Sequence, residues 1–213
     1  SRLVEIFQDE KLVEKIKRRL PYLFQLAELE SSRAGNIGME VGSVREKIII
    51  ALLIYKFGEA NIETEIRITE PEVDAKLFGE SISIKTITGK SFSGVKLIWT
   101  VDAQKAKEFR ESYYPHCDIL LVQINWNDVG GFYYIPLEVQ KRLFDRIGRE
   151  NYIKLPKLGT NPRGVEFAKE ALLGLVEDSM SRKIVINWQK TEIELNSYKR
   201  WIDLWSEEQN ANL

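Results

Sequence analysis

The chain has 213 residues, 44% of them apolar and 30% charged, with a formal net charge of −1. That balance supplies a core, argues against disorder and excludes a nonspecific polycation. One cysteine, Cys117, and one histidine, His116, exclude internal disulfides, a cysteine-based zinc cage and multi-histidine metal sites. His116 sits between Pro115 and Cys117 at the start of an apolar run and reads as a strand-edge residue. A reducing, cytoplasmic compartment is expected. No apolar run is long enough for a membrane span, and residues 3–7 are too few, and too soon followed by acids, for a secretion signal.

Residues 3–20 carry apolar side chains at helical spacing, Pro21 punctuates, and 22–29 form a second amphipathic helix. The stretch 33–42, RAGNIGMEVG, is a loop with three glycines around Met39. Met39 is either a core gap-filler or a wedge of the kind some DNA-binding proteins push between base steps. Residues 43–57 make the strongest helix, with Ser43 and Glu46 as a capping box and Gly58 at its far end. Its run 48–54 is apolar all round, so this helix is central. Glu46 therefore either caps the helix or is a carboxylate held where the helix enters an active site.

A strand is expected at 62–68, then a hairpin within 71–90 and a further strand at 95–101. A helix over 102–113 leads to 117–124, CDILLVQI, a strand buried on both faces. A turn at 125–130 precedes an aromatic strand at 131–135, and Pro136 opens a helix to residue 147. The segment 154–164 is a loop, and Asn161 and Pro162 open a helix over 165–176. Arg163 would then lie at a helix N-terminus, where backbone N–H groups receive phosphate. A late strand at 184–188 and a last helix at 198–205 complete an α/β (α+β) chain around one central mixed β-sheet flanked by helices. Positive charge is concentrated: residues 81–101 hold Lys85, Lys90 and Lys96 and no acid, and 154–164 hold Lys154, Lys157 and Arg163 and no acid.

The hairpin organises the rest. Its two arms alternate strictly, and Gly79–Glu80 suits a two-residue type II′ loop. That loop pairs Phe78 with Ser81, Lys76 with Ser83 and Asp74 with Lys85. An acid and an ammonium then stand side by side on one face. A plain cross-strand ion pair is one reading. The other adds Glu46. Two carboxylates and a lysine without histidine or cysteine suit Mg²⁺, which clamps a phosphate oxygen and acidifies a bound water. Lys85 would orient or deprotonate that water, or neutralise charge at phosphorus. The implied reaction is phosphodiester hydrolysis.

This order of elements, with Asp74 opening the hairpin, Lys85 on its second strand and Glu46 on the preceding helix, resembles the PD-(D/E)XK nucleases, and among them the type II restriction endonucleases. The segment GTNPRGVEFA at 159–168 has the same look. The resemblance implies a PD-(D/E)XK restriction-endonuclease-like core with Asp74, Lys85 and Glu46 as catalytic residues. It also implies Mg²⁺ held by Asp74 and the main-chain carbonyl of Ile84, with Glu46 acting through water. Two departures stand out: Ser83 occupies the position of the family's acid two before the lysine, and Pro71 precedes Asp74 by three residues. A single nuclease domain over 1–213 is expected. It would comprise a helical part and DNA-facing loop to residue 42, a catalytic core at 43–135, and C-terminal helices and a strand at 136–213.

The resemblance implies double-strand cleavage of DNA at a short palindromic site of G·C pairs, CG/CG with blunt ends, by a homodimer. Pyrimidine–purine CG steps are easy to unstack, which suits a Met39 wedge. Arg33, Arg45, Lys90 and Arg163 are the candidate DNA contacts. A repair or junction-resolving nuclease on the same core, and a non-catalytic DNA-binding module, are the alternatives.

Overall fold

The computed structural model describes residues 1–33, 36–38, 40–157, 159–160 and 163–207, apart from the side chains of Arg33 and Asn36. In chain order the elements are α1 (Val4–Gln8), α2 (Glu10–Glu30), β1 (Ser32–Arg33), β2 (Asn36–Ile37), α3 (Val41–Phe57), a 3-10 turn (Glu59–Asn61), β3 (Ile62–Glu63), β4 (Ala75–Leu77), β5 (Glu80–Thr88) and β6 (Lys96–Ile98). They continue with α4 (Ala103–Ser112), β7 (Asp118–Ile124), β8 (Asp128–Ile135), α5 (Leu137–Ile147), α6 (Arg149–Tyr152), β9 (Ile153–Lys154), β10 (Val165–Phe167), α7 (Lys169–Glu177), β11 (Arg182–Trp188) and α8 (Lys199–Ser206).

A six-stranded sheet runs β11-β8-β7-β5-β4-β3. Every neighbouring pair in it is antiparallel except β5 with β7. Parallel neighbours need a crossover, and the chain from β5 to β7 supplies one through β6 and α4. All seven residues of β7 are buried. Leu120 and Val122 face the helices α1–α3, while Ile119 and Leu121 face the opposite core. A small antiparallel sheet, β6-β10-β9, lies with α4, α5 and α7 on that opposite side. No described helix is long and apolar enough to cross a membrane.

Several boundaries differ from the sequence expectation, each for a local reason. Asp9, not Pro21, punctuates the N-terminal helices: its carboxylate accepts from Leu12 N at 3.1 Å and starts α2. Pro21 lies inside α2. The buried stripe Leu12, Ile16, Leu20 and Phe24 continues across it, and that burial offsets the lost bond of about 3 kcal/mol. The expected strand at 62–68 shrinks to Ile62–Glu63, because its partner β4 is only three residues long. The expected strand at 95–101 shrinks to β6, outside the main sheet. The turn expected at 125–130 is shorter, since β8 already begins at Asp128. The expected helix at 165–176 is a strand followed by a helix, because 165–167 pairs with both β6 and β9. Arg163 therefore does not cap a helix: α7 starts six residues later, at Lys169.

Candidate active site

The hairpin turns at Phe78 and Gly79, with φ of 50° and 82°, rather than at Gly79–Glu80. Two successive positive φ angles are the signature of a type I′ turn. Leu77 consequently pairs with Glu80, Lys76 with Ser81 and Ala75 with Ile82. The expected register is thus displaced by two residues. A one-residue slip would exchange the faces of the strand, but a slip of two leaves them unchanged. Asp74 and Lys85 therefore keep a common face, as diagonal rather than direct neighbours, and Asp74 stands opposite Ser83. Ser83 Oγ donates to Asp74 Oδ2 at 3.3 Å.

The strand β4 stops just where the acid sits. Asp74 N still donates to Ile82 O at 2.9 Å, the last main-chain bond of the ladder. One step further along β5, the Asp74 carboxylate replaces the missing strand and accepts from Ile84 N at 2.5 Å. The N–H and C=O of one strand residue project to the same edge. The Ile84 carbonyl thus projects from β5 into the gap beyond β4, beside Asp74. Both bonds to Asp74 go to Oδ2, so Oδ1 is free of them. The next residue, Lys85, donates from Nζ to the Leu97 carbonyl in β6 at 3.1 Å. Among the described residues no carboxylate lies within the 4.0 Å ion-pair distance of that ammonium. The plain ion pair between Asp74 and Lys85 is not formed.

Glu46 is half-buried, one turn before the fully buried Ile49 of α3. The capping box does not form, because α3 begins at Val41 and Ser43 Oγ donates back to Glu40 O at 2.8 Å. Glu46 is therefore not a cap. Desolvation first, and then the charge of Asp74, push its carboxyl up to about 7, against the pull of Lys85 and Lys47. Asp74 is likewise raised by burial, with Lys85 and the bonds from Ile84 and Ser83 opposing.

One acid was missed at the sequence level. Glu72 is 5% exposed, and burial lifts its carboxyl to about 8, with Lys85 pulling down and Asp74 pushing up. Its Oε2 lies 3.2 Å from His116 Nδ1. In PEVD, Glu72 stands two residues before Asp74, but 71–74 form a turn ahead of β4, so it is the fold and not strand alternation that brings Glu72 near Asp74 and Lys85.

Three carboxyls raised by desolvation, coupled through Asp74 and Lys85, form a site short of positive charge. Among the described residues no three acids, histidines or cysteines converge closely enough to cage a metal by themselves. The donors on offer are one or two carboxylates and a main-chain carbonyl. That fits Mg²⁺, which keeps several waters and uses few protein oxygens. Cys117 lies nearby but is buried, with its thiol pushed up to about 12 by burial first and Glu72 next, so it is no nucleophile.

The candidate DNA contacts divide. Arg45 is buried and bonded to Glu28 Oε1 at 2.7 Å, so it is a core residue and not a DNA contact. Lys90 is exposed past the end of β5 and pairs with Asp128 at 2.8 Å. Arg163 is exposed and helps line a hollow of about 220 Å³ with Lys154 and Lys157. Glu166 of β10 also lines the hollow, and β10 pairs with β6, whose Leu97 carbonyl accepts the bond from Lys85. The Arg33 backbone lies in the β1–β2 hairpin, while its side chain, and all of Met39, lie outside the described residues.

A family model described as restriction endonuclease ThaI matches residues 6–207. A solved structure, "Restriction endonuclease in complex with substrate DNA", shares 61% identity, covers 98% of this chain and 100% of its own, and superposes with a TM-score of 0.89. Among curated proteins no similar sequence was found.

Proposed function

The chain belongs to the ThaI restriction endonuclease family, type II site-specific nucleases that cleave DNA, and we propose that it cuts both strands of a short palindromic G·C-only site, CG/CG with blunt ends, as a Mg²⁺-dependent homodimer. The observation that carries this reading is the gap beyond β4, where Asp74, just before that strand, bonds to Ile84 N beside the Ile84 carbonyl and Lys85 of β5.

Asp74 and the Ile84 carbonyl would hold the ion, with Glu46 reaching it through water. The ion would supply electrostatic clamping of a phosphate oxygen and a more acidic water. Lys85 brings a positive charge to the reacting phosphate and orients the attacking water. Its bond to the Leu97 carbonyl fixes the ammonium without cancelling its charge, since a carbonyl carries none. Asp74 is oriented in turn by Ile84 N and Ser83 Oγ, so the acid is positioned before substrate arrives. The neighbouring structure's substrate DNA supports DNA as the partner here. Arg163 with Lys154 and Lys157, and also Lys90 and Arg33, would meet it, and Met39 would enter between base steps.

The test is digestion of plasmids with and without CGCG sites, with and without Mg²⁺, followed by mapping of the ends. Discrete blunt fragments are expected only with both the site and the metal. Asp74→Ala should bind the same duplex and leave it intact. An Asp74→Ala protein that still cuts would move the chemistry elsewhere.

A further inference from the structure

β6 ends at Ile98, and the next residue, Trp99, is 54% exposed. A lone exposed apolar side chain is common; what sets this one apart is its place. The Leu97 carbonyl, two residues before Trp99, accepts from Lys85 Nζ at 3.1 Å. Two residues of extended chain advance roughly 7 Å, so Trp99 begins about that far from the residue that anchors the Lys85 ammonium. Its backbone is held on both sides. Upstream, β6 pairs with β10. Downstream, Asp102 caps α4 by accepting from Gln104 N and Lys105 N at 2.9 and 3.1 Å, and its own N–H donates to Thr100 Oγ1 at 3.1 Å. The ring is therefore presented by a fixed stretch of chain.

Positive charge gathers around it. Lys96 Nζ stands 5.3 Å from the ring centroid. Gly164 packs so closely that a Cβ there would strike the Ile98 carbonyl and lie 3.3 Å from Trp99 Cα. That approach sets the Arg163–Gly164 backbone against Trp99, on the rim of the hollow that Lys154 and Lys157 also line. Glu166 is the one carboxylate in this group, and Lys96 and Lys154 share it at 3.0 and 2.9 Å. Arg163 and Lys157 are exposed, with no carboxylate within 4.0 Å among the described residues. Four cations against one acid leave the patch positive. Cations around an open aromatic ring are how a protein surface takes a nucleic-acid strand: the charges hold phosphates, and the ring packs on what lies between them.

We infer that Trp99 is a DNA-contact residue, its indole packed on the strand held for cleavage, between the phosphate facing Lys85 and the phosphates met by Arg163 and Lys157. This rests on the nuclease reading above and adds to it a contact made by apolar surface rather than by charge. Since β6 and the α4 cap fix the backbone on either side, the ring is in place before the duplex arrives, and little ordering is lost on binding.

Fluorescence anisotropy of a labelled duplex containing CGCG tests it, at several salt concentrations and in the Asp74→Ala chain so that the duplex stays whole. Trp99→Ala should weaken binding about 10–100-fold. The salt slope should not change, because no charge is removed, whereas Arg163→Ala should lower it by about one unit. Trp99→Phe should recover most of the lost affinity, since it keeps an aromatic face. Circular dichroism, and sedimentation without DNA, should match the parent for both Trp99 variants, because the side chain is largely exposed. Unchanged affinity in Trp99→Ala would overturn the inference. So would a changed salt slope, which would make Trp99 only a support for Lys96, or altered sedimentation, which would place the ring between two copies. Failure of the nuclease reading shows separately, as a wild-type chain that leaves plasmid uncut with Mg²⁺ while the binding data still decide the contact; a parent that binds no duplex would overturn both.

Discussion

Replacing Arg45 separates a core arginine from a DNA-binding one. Its Nη2 lies 2.7 Å from Glu28 Oε1, and the two side chains are 9% and 6% exposed. Truncation to alanine would strand the Glu28 carboxylate in the core, which typically costs about 3–5 kcal/mol. Glu28 would still accept from Trp126 Nε1 at 2.8 Å and face Lys190 at 3.7 Å, so about 2–4 kcal/mol is expected for Arg45→Ala. In a chain of this size that lowers Tm by roughly 5–12 °C. The Arg45 Nε is already buried without a partner. A double Arg45→Met/Glu28→Met replacement should therefore cost less than the single truncation, since it removes both charges. Thermal melts measure these shifts. DNA titrations at several salt concentrations, below the variants' melting range, should show wild-type affinity and salt dependence. If Arg45→Ala melted like the wild type, bound DNA more weakly and lost about one unit of salt slope, Arg45 would be a phosphate contact and the reasoning would fail.

The remaining expectations concern the site and its surroundings. Glu72→Gln should raise the Mg²⁺ concentration needed for half-maximal cleavage about 10–100-fold, and an unchanged metal titration would remove Glu72 from the site. Burial works to raise the Glu166 carboxyl, but hydrogen bonds from Lys154 and Lys96 prevail and hold it below its ordinary value of 4.5. Its stabilisation is therefore present above about pH 4.5 and lost as pH falls through the lower folded value. Acid melts of Glu166→Gln should accordingly be flatter than those of the wild type, and parallel curves would contradict this. Met39→Ala should lower both DNA affinity and the unwinding of bound duplex, and no change in either would dispose of the wedge.

The face shared by Asp74 and Lys85 was readable without coordinates because strand geometry has a period of two. Alternation alone puts Asp74 and Lys85 on one side, and it survived a wrong turn assignment because the error was an even number of residues. That rule does not reach Glu72, which sits in the turn at 71–74 before β4; only its buried setting beside His116 gives that acid its significance. The buried strand at 117–124 and the helix at 102–113 were equally plain, since continuous and periodic apolar patterns state their own partners. Arg45 could not be placed this way: its neighbours in sequence say nothing of Glu28, which reaches it only when α2 packs on α3.

What the amino-acid order determined by itself was the alternation of side chains, the identity of the acids and the lysine, and the succession of helices and strands around one sheet. All of these depend on residues close together along the chain. What only the tertiary structure decided was where β4 ends, which opens the gap beside Ile84, which arginine is sealed in the core, and that α8 is left without cover. Those outcomes depend on surfaces meeting across many residues, and packing energy, not local pattern, settles which of them meet.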